Sequence, residues 1–214
     1  MVSESFLLRM QAEDEVGLFR QSIWTLRESA TANIELAEDY NICAKSLNKE
    51  PESQFWRRNT VRAFFALVEL SAHLTRQITL LAFEVGEFSI SRAEEILLRE
   101  EQFFVSRTGK ADSTRAKIST ISYLMFTYKL FYSKFSTDLN FNTGEHSWES
   151  FRKAVKIRDR ITHPRSVTDV TISDSEAEKI GNGANFIAQA NLFVSDKMEQ
   201  FITEFDMTIK NHLG

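Results

Sequence analysis

Along residues 12–48, Val16, Phe19, Ile23, Leu26, Ala30 and then Ile34 or Ala37 fall at alternating three- and four-residue intervals. That spacing is the apolar stripe of an amphipathic helix. Phe6, Leu7 and Met10 read as a short helix within residues 1–10, and Pro51 ends the first long one. A second helix opens at Glu52 or Ser53. Its stripe runs Val61, Phe64 and Phe65, Val68, Ala72, Thr75, Ile78 and Thr79, Ala82, and Gly86 closes it. Two helices of this length joined by so short a link predict a long antiparallel hairpin, each arm spanning roughly 45–55 Å.

Ser91 and Glu94 have the spacing of a capping box and predict a third helix running to about Phe104, ahead of a loop at 107–110. A fourth is expected over residues 113–135, carrying Ile118, Ile121, Met125, Tyr128, Leu130 and Phe131. Residues 140–145 read as a loop. A fifth helix starts near Ser147 and must stop at Pro164. Residues 167–172, with alternating Val and Thr, have the best strand propensity in the chain and predict an extended connection. Ser173 and Glu176 form another capping box. The last stripe is Ile180, Ala184, Ile187, Asn191, Val194, Met198, Phe201 and Phe205, with Gly181 and Gly183 as possible breaks near its start.

Composition sharpens this to an all-α fold, an elongated helical bundle built on the long hairpin. The 214 residues include only two prolines and seven glycines, about 4% together against roughly 12% in an average chain. A sandwich or barrel of short strands needs many more turns than that. The 43% of hydrophobic residues, with 18 phenylalanines, supply a substantial core. Residues 1–214 read as a single domain without repeats or linkers. The single cysteine, Cys43, excludes an intramolecular disulfide and a cysteine zinc cluster, and suggests a reducing compartment. Acidic residues near the N-terminus argue against a signal peptide, and no apolar run is long enough to span a bilayer. A soluble, cytoplasmic protein with no membrane partner is expected.

Charge is unevenly placed. The net charge is −4, yet residues 152–165 carry Arg152, Lys153, Lys156, Arg158, Arg160 and Arg165 against one acid, Asp159. That local +5 leaves −9 for the remainder, and a concentrated basic segment on an acidic body suggests an anion site. A solvated helix face is the plain alternative. Glycine phosphate loops, two-histidine zinc signatures and nucleophile elbows are absent. His73, His146 and His212 lack ligand spacing. His146 and His212 read as surface side chains, His73 as a satisfied core or interface group. Neither metal nor cofactor is expected.

His163 stands apart, ending the basic helix in Arg158-Asp159-Arg160-Ile161-Thr162-His163-Pro164. The bare spacing of arginine and histidine carries little information by itself. With its context, the segment resembles the signature of the HEPN superfamily: arginine, a polar residue, further residues, then histidine, here Arg158, Asp159 and His163. The preceding Trp148-Glu149-Ser150-Phe151-Arg152-Lys153-Ala154 resembles the run into that motif. So does the second helix around Trp56-Arg57-Arg58-Asn59 and Glu69, so the resemblance covers about 55–80 and 147–175. It implies a helical bundle that acts as a metal-independent ribonuclease with its centre at a homodimer interface, of the kind found in toxin–antitoxin and anti-phage systems.

Residue chemistry fits that expectation. On a continuous helix Arg158 and His163 are about 140° apart, whereas Asp159 and His163 share a face. Pro164 disfavours helical geometry at His163 and lets its side chain leave the helical path. A two-fold dimer then brings two such helix ends into one cleft. Histidine suits proton transfer near neutral pH, and an arginine fork suits the equatorial oxygens of a phosphorane. The candidate catalytic residues are therefore His163 as general acid/base, Arg158 as the charge stabiliser and Asp159 as the group orienting the histidine. Arg160, Arg165 and Arg62 are candidates for RNA phosphates. Expected partners are RNA, a second copy of the chain, and an antitoxin or defence protein. The competing readings are an inactive HEPN-like module that binds a nucleotide, RNA or a protein, and a helical scaffold without a ligand.

Overall fold

A computed structural model describes residues 13–105, 107–136, 141–144 and 146–213. The short helix expected within residues 1–10 lies outside them. Six helices dominate: α1 (Glu13–Lys49), α2 (Gln54–Glu84), α3 (Arg92–Leu98), α4 (Thr120–Phe135), α5 (His146–Thr162) and α6 (Asp174–Leu213). A two-stranded antiparallel sheet, β1 (Glu101–Val105) and β2 (Ala111–Arg115), and a 3-10 turn (Thr168–Val170) complete the described chain.

Pro51 ends the first long helix and Ser53 caps the second, its hydroxyl accepting the Trp56 N–H. The two arms run antiparallel. Asn33 accepts from Ser71 at 3.0 Å, and Tyr40, later along α1, sets its ring tilted 5.8 Å from that of Phe64, earlier along α2. Where the stripe of α1 left two choices, Ala37 turns inward and Ile34 outward, 63% exposed. Every apolar or threonine position expected on α2 is buried, which makes α2 the central helix. The helices α5 and α6 form a second antiparallel pair: Phe151 packs against Gly183 near their middle, and Arg160 meets Glu176 at the turn.

A buried guanidinium joins the turns of the two pairs. Arg57 Nε donates to the Pro51 carbonyl at 2.8 Å, Nη1 to the Ile172 carbonyl at 2.6 Å, and Nη2 to the Asp174 carboxylate. Gln54 exchanges both amide bonds with the Ile172 backbone at 2.8–2.9 Å, and Arg58 donates to the Val170 carbonyl at 3.1 Å. The segment after the basic helix is thus pinned to the start of α2. Deeper in the bundle, Tyr128 of α4 donates to Asn191 of α6, which donates to Ser71 of α2 at 2.9 Å, and Ser71 donates to Asn33 of α1. This chain of bonds fixes four helices in register inside an otherwise apolar core.

Three expectations are corrected. The third helix stops at Leu98 rather than continuing to Phe104, because Arg76 Nη1 caps its end by donating to the Leu98 carbonyl at 3.1 Å. Glu100 then takes φ +55°, reversing the chain into β1. The fourth helix starts at Thr120 rather than near residue 113, because residues 111–115 pair with 101–105 around a turn at Gly109, φ +78°. Ser119 supplies the cap, accepting the Ser122 N–H at 3.2 Å. Residues 168–170 form a 3-10 turn rather than an extended strand, with the Asp169 carboxylate accepting the Arg165 N–H at 2.8 Å.

The two glycines of α6 do not interrupt it. Gly183 sits where a Cβ would lie 2.9 Å from the Phe151 Cα, so its absent side chain permits the close approach of α5 and α6. A Cβ at Gly181 meets nothing.

Candidate functional site

The basic helix α5 turns Phe151, Ala154, Val155, Ile157 and Ile161 into the core. That leaves its cationic positions at or near the surface. Arg158 is 28% exposed by its side chain and packs against α2. Its Nη2 donates to Glu69 Oε1, its Nη1 donates to Asp159 Oδ1 at 3.1 Å, and its guanidinium carbon stands 5.9 Å from the centre of the Phe65 ring. Phe65 and Glu69 are four residues apart and therefore share one face of α2. Two carboxylates and an aromatic face hold the guanidinium while one edge stays open to solvent.

His163 follows directly. Its backbone N–H still donates to the Asp159 carbonyl at 3.1 Å, the last helical bond before Pro164, and its side chain is exposed. Among the described residues its ring makes no hydrogen bond or ion pair. Asp159, 58% exposed by its side chain, bonds to Arg158. The chain therefore brings Arg158 and Asp159 together and places His163 one turn further on, without joining it to either side chain.

The three phosphate candidates divide. Arg160 is held inside the chain: Nη2 donates to the two Glu176 oxygens at 3.0 and 3.1 Å and to the Thr171 carbonyl at 3.0 Å. Burial opposes the charge of Glu176, but the Ser173 N–H and the Arg160 guanidinium outweigh it and hold the carboxyl below its usual value. Arg165 is exposed in the loop and uses its backbone N–H, not its guanidinium, on Asp169. That bond above all, with the Ser166 hydroxyl, lowers the Asp169 carboxyl. Arg62 is exposed on α2, with a 3.4 Å bond to Asn59. It lies seven residues before Glu69 on the same row of the helix, about 10 Å away.

A cavity of about 710 Å³ opens beside this arrangement, and Glu69 forms part of its wall. Val68, Ala72 and Leu124 give it an apolar side, Glu100 and Tyr123 a polar one, and Lys117 and Ser119 line it where the sheet leads into α4. Behind it Arg76 is buried, with Nη2 bonded to His73 Nδ1 at 2.9 Å and Nη1 at 3.9 Å from Glu100 Oε2. A guanidinium only donates, so His73 Nδ1 is the acceptor. The Tyr123 hydroxyl is buried beside Glu100 and Thr127. Burial pushes this phenol up to about 12; Arg76 opposes the shift and Glu100 adds to it.

The remaining histidines are placed simply. His146 is exposed at the first residue of α5, and His212 lies in the last turn of α6. No group of three or more His, Cys, Asp or Glu able to hold a metal occurs among the described residues. Nor is any described helix long and apolar enough to cross a membrane.

Comparison with protein-family models, with curated proteins and with solved structures returns no match. Function must therefore be argued from the site.

Sequence reasoning assigned no role to Glu69, Arg76, Glu100 or Tyr123. Glu69 was within reach: Arg62, Phe65 and Glu69 form one row on α2, and a carboxylate at its end is a natural partner for a cation on the neighbouring helix. Glu100 and Tyr123 gave no signal, because their proximity depends on the β hairpin.

Proposed function

We propose that the chain is a HEPN-type, metal-independent endoribonuclease that works as a homodimer in a toxin–antitoxin or anti-phage role. The observation that carries the reading is the placement of Arg158 and His163. They lie five residues apart at the end of the basic helix, both open to solvent, and the segment that follows this helix is held to α2 by Arg57 and Gln54. The resemblance of residues 55–80 and 147–175 to the HEPN pattern supplies the activity class, and the helical fold is compatible with it.

In this reading the 2′-hydroxyl of RNA attacks the adjacent phosphorus, the bond to the 5′-oxygen breaks, and the products carry a 2′,3′-cyclic phosphate and a free 5′-hydroxyl. His163 exchanges the proton, the role to which a histidine side chain is chemically suited. Arg158 stabilises the charge on the phosphorane. Asp159, four residues before His163, orients the imidazole. Phosphate binding needs Arg158 to exchange one carboxylate for the substrate. An exposed ion pair contributes about 1 kcal/mol or less, so giving up one carboxylate costs Arg158 little. Arg165 and Arg62 are free to hold flanking phosphates, and Arg160 serves by clamping the turn through Glu176.

Two exposed apolar side chains favour a second copy at this end. Val167, in the loop after His163, is 82% exposed, and Phe55, at the start of α2, is 58% exposed. The test is incubation of purified protein with RNA in EDTA, followed by end-group analysis. The reading expects cyclic-phosphate and 5′-hydroxyl ends. Intact RNA, or cleavage only with added metal, contradicts it. The engagement of Arg158 by two carboxylates favours a second reading, an inactive module that binds RNA or a protein, for which binding without turnover is the sign.

A further inference from the structure

We propose that the cavity beside Glu69 is a base-binding subsite of the same centre, built to take an unpaired guanine of the RNA. The inference rests on the ribonuclease reading above and deepens it. Continuity is the first argument. Glu69 Oε1 accepts from Arg158 while the same residue lines the cavity, so one carboxylate separates the proposed phosphate-binding guanidinium from the space. The volume, about 710 Å³, lies within the roughly 300–1,000 Å³ of small-ligand sites.

The walls choose the chemistry. Val68, Ala72 and Leu124 offer apolar surface to the face of a ring. The polar side carries two carboxylates beside Lys117, Ser119 and Thr120. Glu69 and Glu100 are both carboxylates, and the second oxygen of Glu69 has no partner among the described residues. Of the four RNA bases, guanine alone presents adjacent N–H donors on its Watson–Crick edge, N1–H and N2–H, which match the two oxygens of a carboxylate. Uracil presents one donor between two carbonyls. Cytosine and adenine each place a ring-nitrogen acceptor beside the amino group, facing the carboxylate with a lone pair. Lys117, exposed in the segment before α4, is placed for a phosphate of the same nucleotide. Glu100 holds a left-handed backbone, φ +55°, at the position that presents one of the two carboxylates.

The probe is 5′-GMP, titrated calorimetrically into the full-length protein with 5′-UMP as the comparison. A mononucleotide contains no scissile linkage, so the result does not depend on catalysis. The expected result is saturable GMP binding, with UMP weaker by about tenfold or more. Glu69→Gln and Glu100→Gln, checked for helix content by circular dichroism, are each expected to weaken GMP by about tenfold. Absence of saturable GMP binding up to about 5 mM overturns the subsite. So do equal affinities for GMP and UMP, or folded variants that bind as wild type does. Uncleaved RNA with selective GMP binding removes the nuclease reading and leaves the guanine pocket. Cleavage beside all four bases without GMP binding removes the pocket alone.

Discussion

Arg158 of α5 and Glu69 of α2 form an ion pair across the junction of two helix hairpins, at the mouth of a cavity that Glu69 helps to line. The pair ties the basic segment to the central helix without burying its charge. Arg57 does the opposite, burying its guanidinium to join the turns of the same two hairpins. The difference separates a side chain available for chemistry from one that holds the fold.

Arg158→Ala is therefore expected to lower stability by about 1 kcal/mol or less, since an exposed pair contributes little. Arg57→Ala leaves the Pro51 carbonyl unpaired, takes one of two donors from the Ile172 carbonyl and the guanidinium from Asp174, and is expected to cost about 2–4 kcal/mol. Urea denaturation of the two variants checks the contrast. Equal losses would show that Arg158 is a structural residue of the same kind.

The glycines of α6 predict opposite signs. Gly181→Ala meets open space and is expected to stabilise by about 0.5–1 kcal/mol through helix propensity. Gly183→Ala forces its Cβ against the Phe151 backbone and is expected to destabilise by about 1–3 kcal/mol. Thermal melts of the two variants should shift in opposite directions.

Asn191 accepts from Tyr128 and donates to Ser71. Asn191→Ala strands the Tyr128 hydroxyl and takes a donor from Ser71, which keeps its bond to Asn33, and is expected to cost about 1–3 kcal/mol. In the double variant Asn191→Ala with Tyr128→Phe the loss should be less than additive, because the second change removes one stranded group.

Acid should weaken the turn after the basic helix. Glu176 and Asp169 both have carboxyls held below their ordinary values. The unfolded chain therefore binds more protons than the fold does in that range. Stability is fully present above the ordinary carboxylate value of about 4 and is lost as pH falls through the lower folded values. Urea midpoints measured from pH 6 to pH 2.5 should fall across that window, and Glu176→Gln should flatten the profile.

The helices were legible where a local rule decided them. Pro51 and Ser53 set the first turn, Ser91 with Glu94 and Ser173 with Glu176 set two caps, and the stripe from Val61 to Ala82 marked the central helix. What escaped depended on distant partners. Nothing near Leu98 announces that Arg76, 22 residues earlier, caps its carbonyl and ends the helix. Likewise Phe103 lies on a strand only because residues 111–115 pair with it. The basic segment was readable from residue types, whereas Arg158, Asp159 and His163 within it stood out only through the resemblance to the HEPN signature. Their partners Glu69 and Thr171, and the diversion of Arg160 to Glu176, came only from packing.

The central claim is that Arg158 and His163 cut RNA. Its most direct test is the cleavage rate of one RNA in EDTA by wild-type protein and by the folded variants Arg158→Ala and His163→Ala. Wild-type cleavage with a fall of about 100-fold or more in each variant is the predicted result. Variants that cut as fast as wild type, or a wild type that does not cut at all, would contradict it.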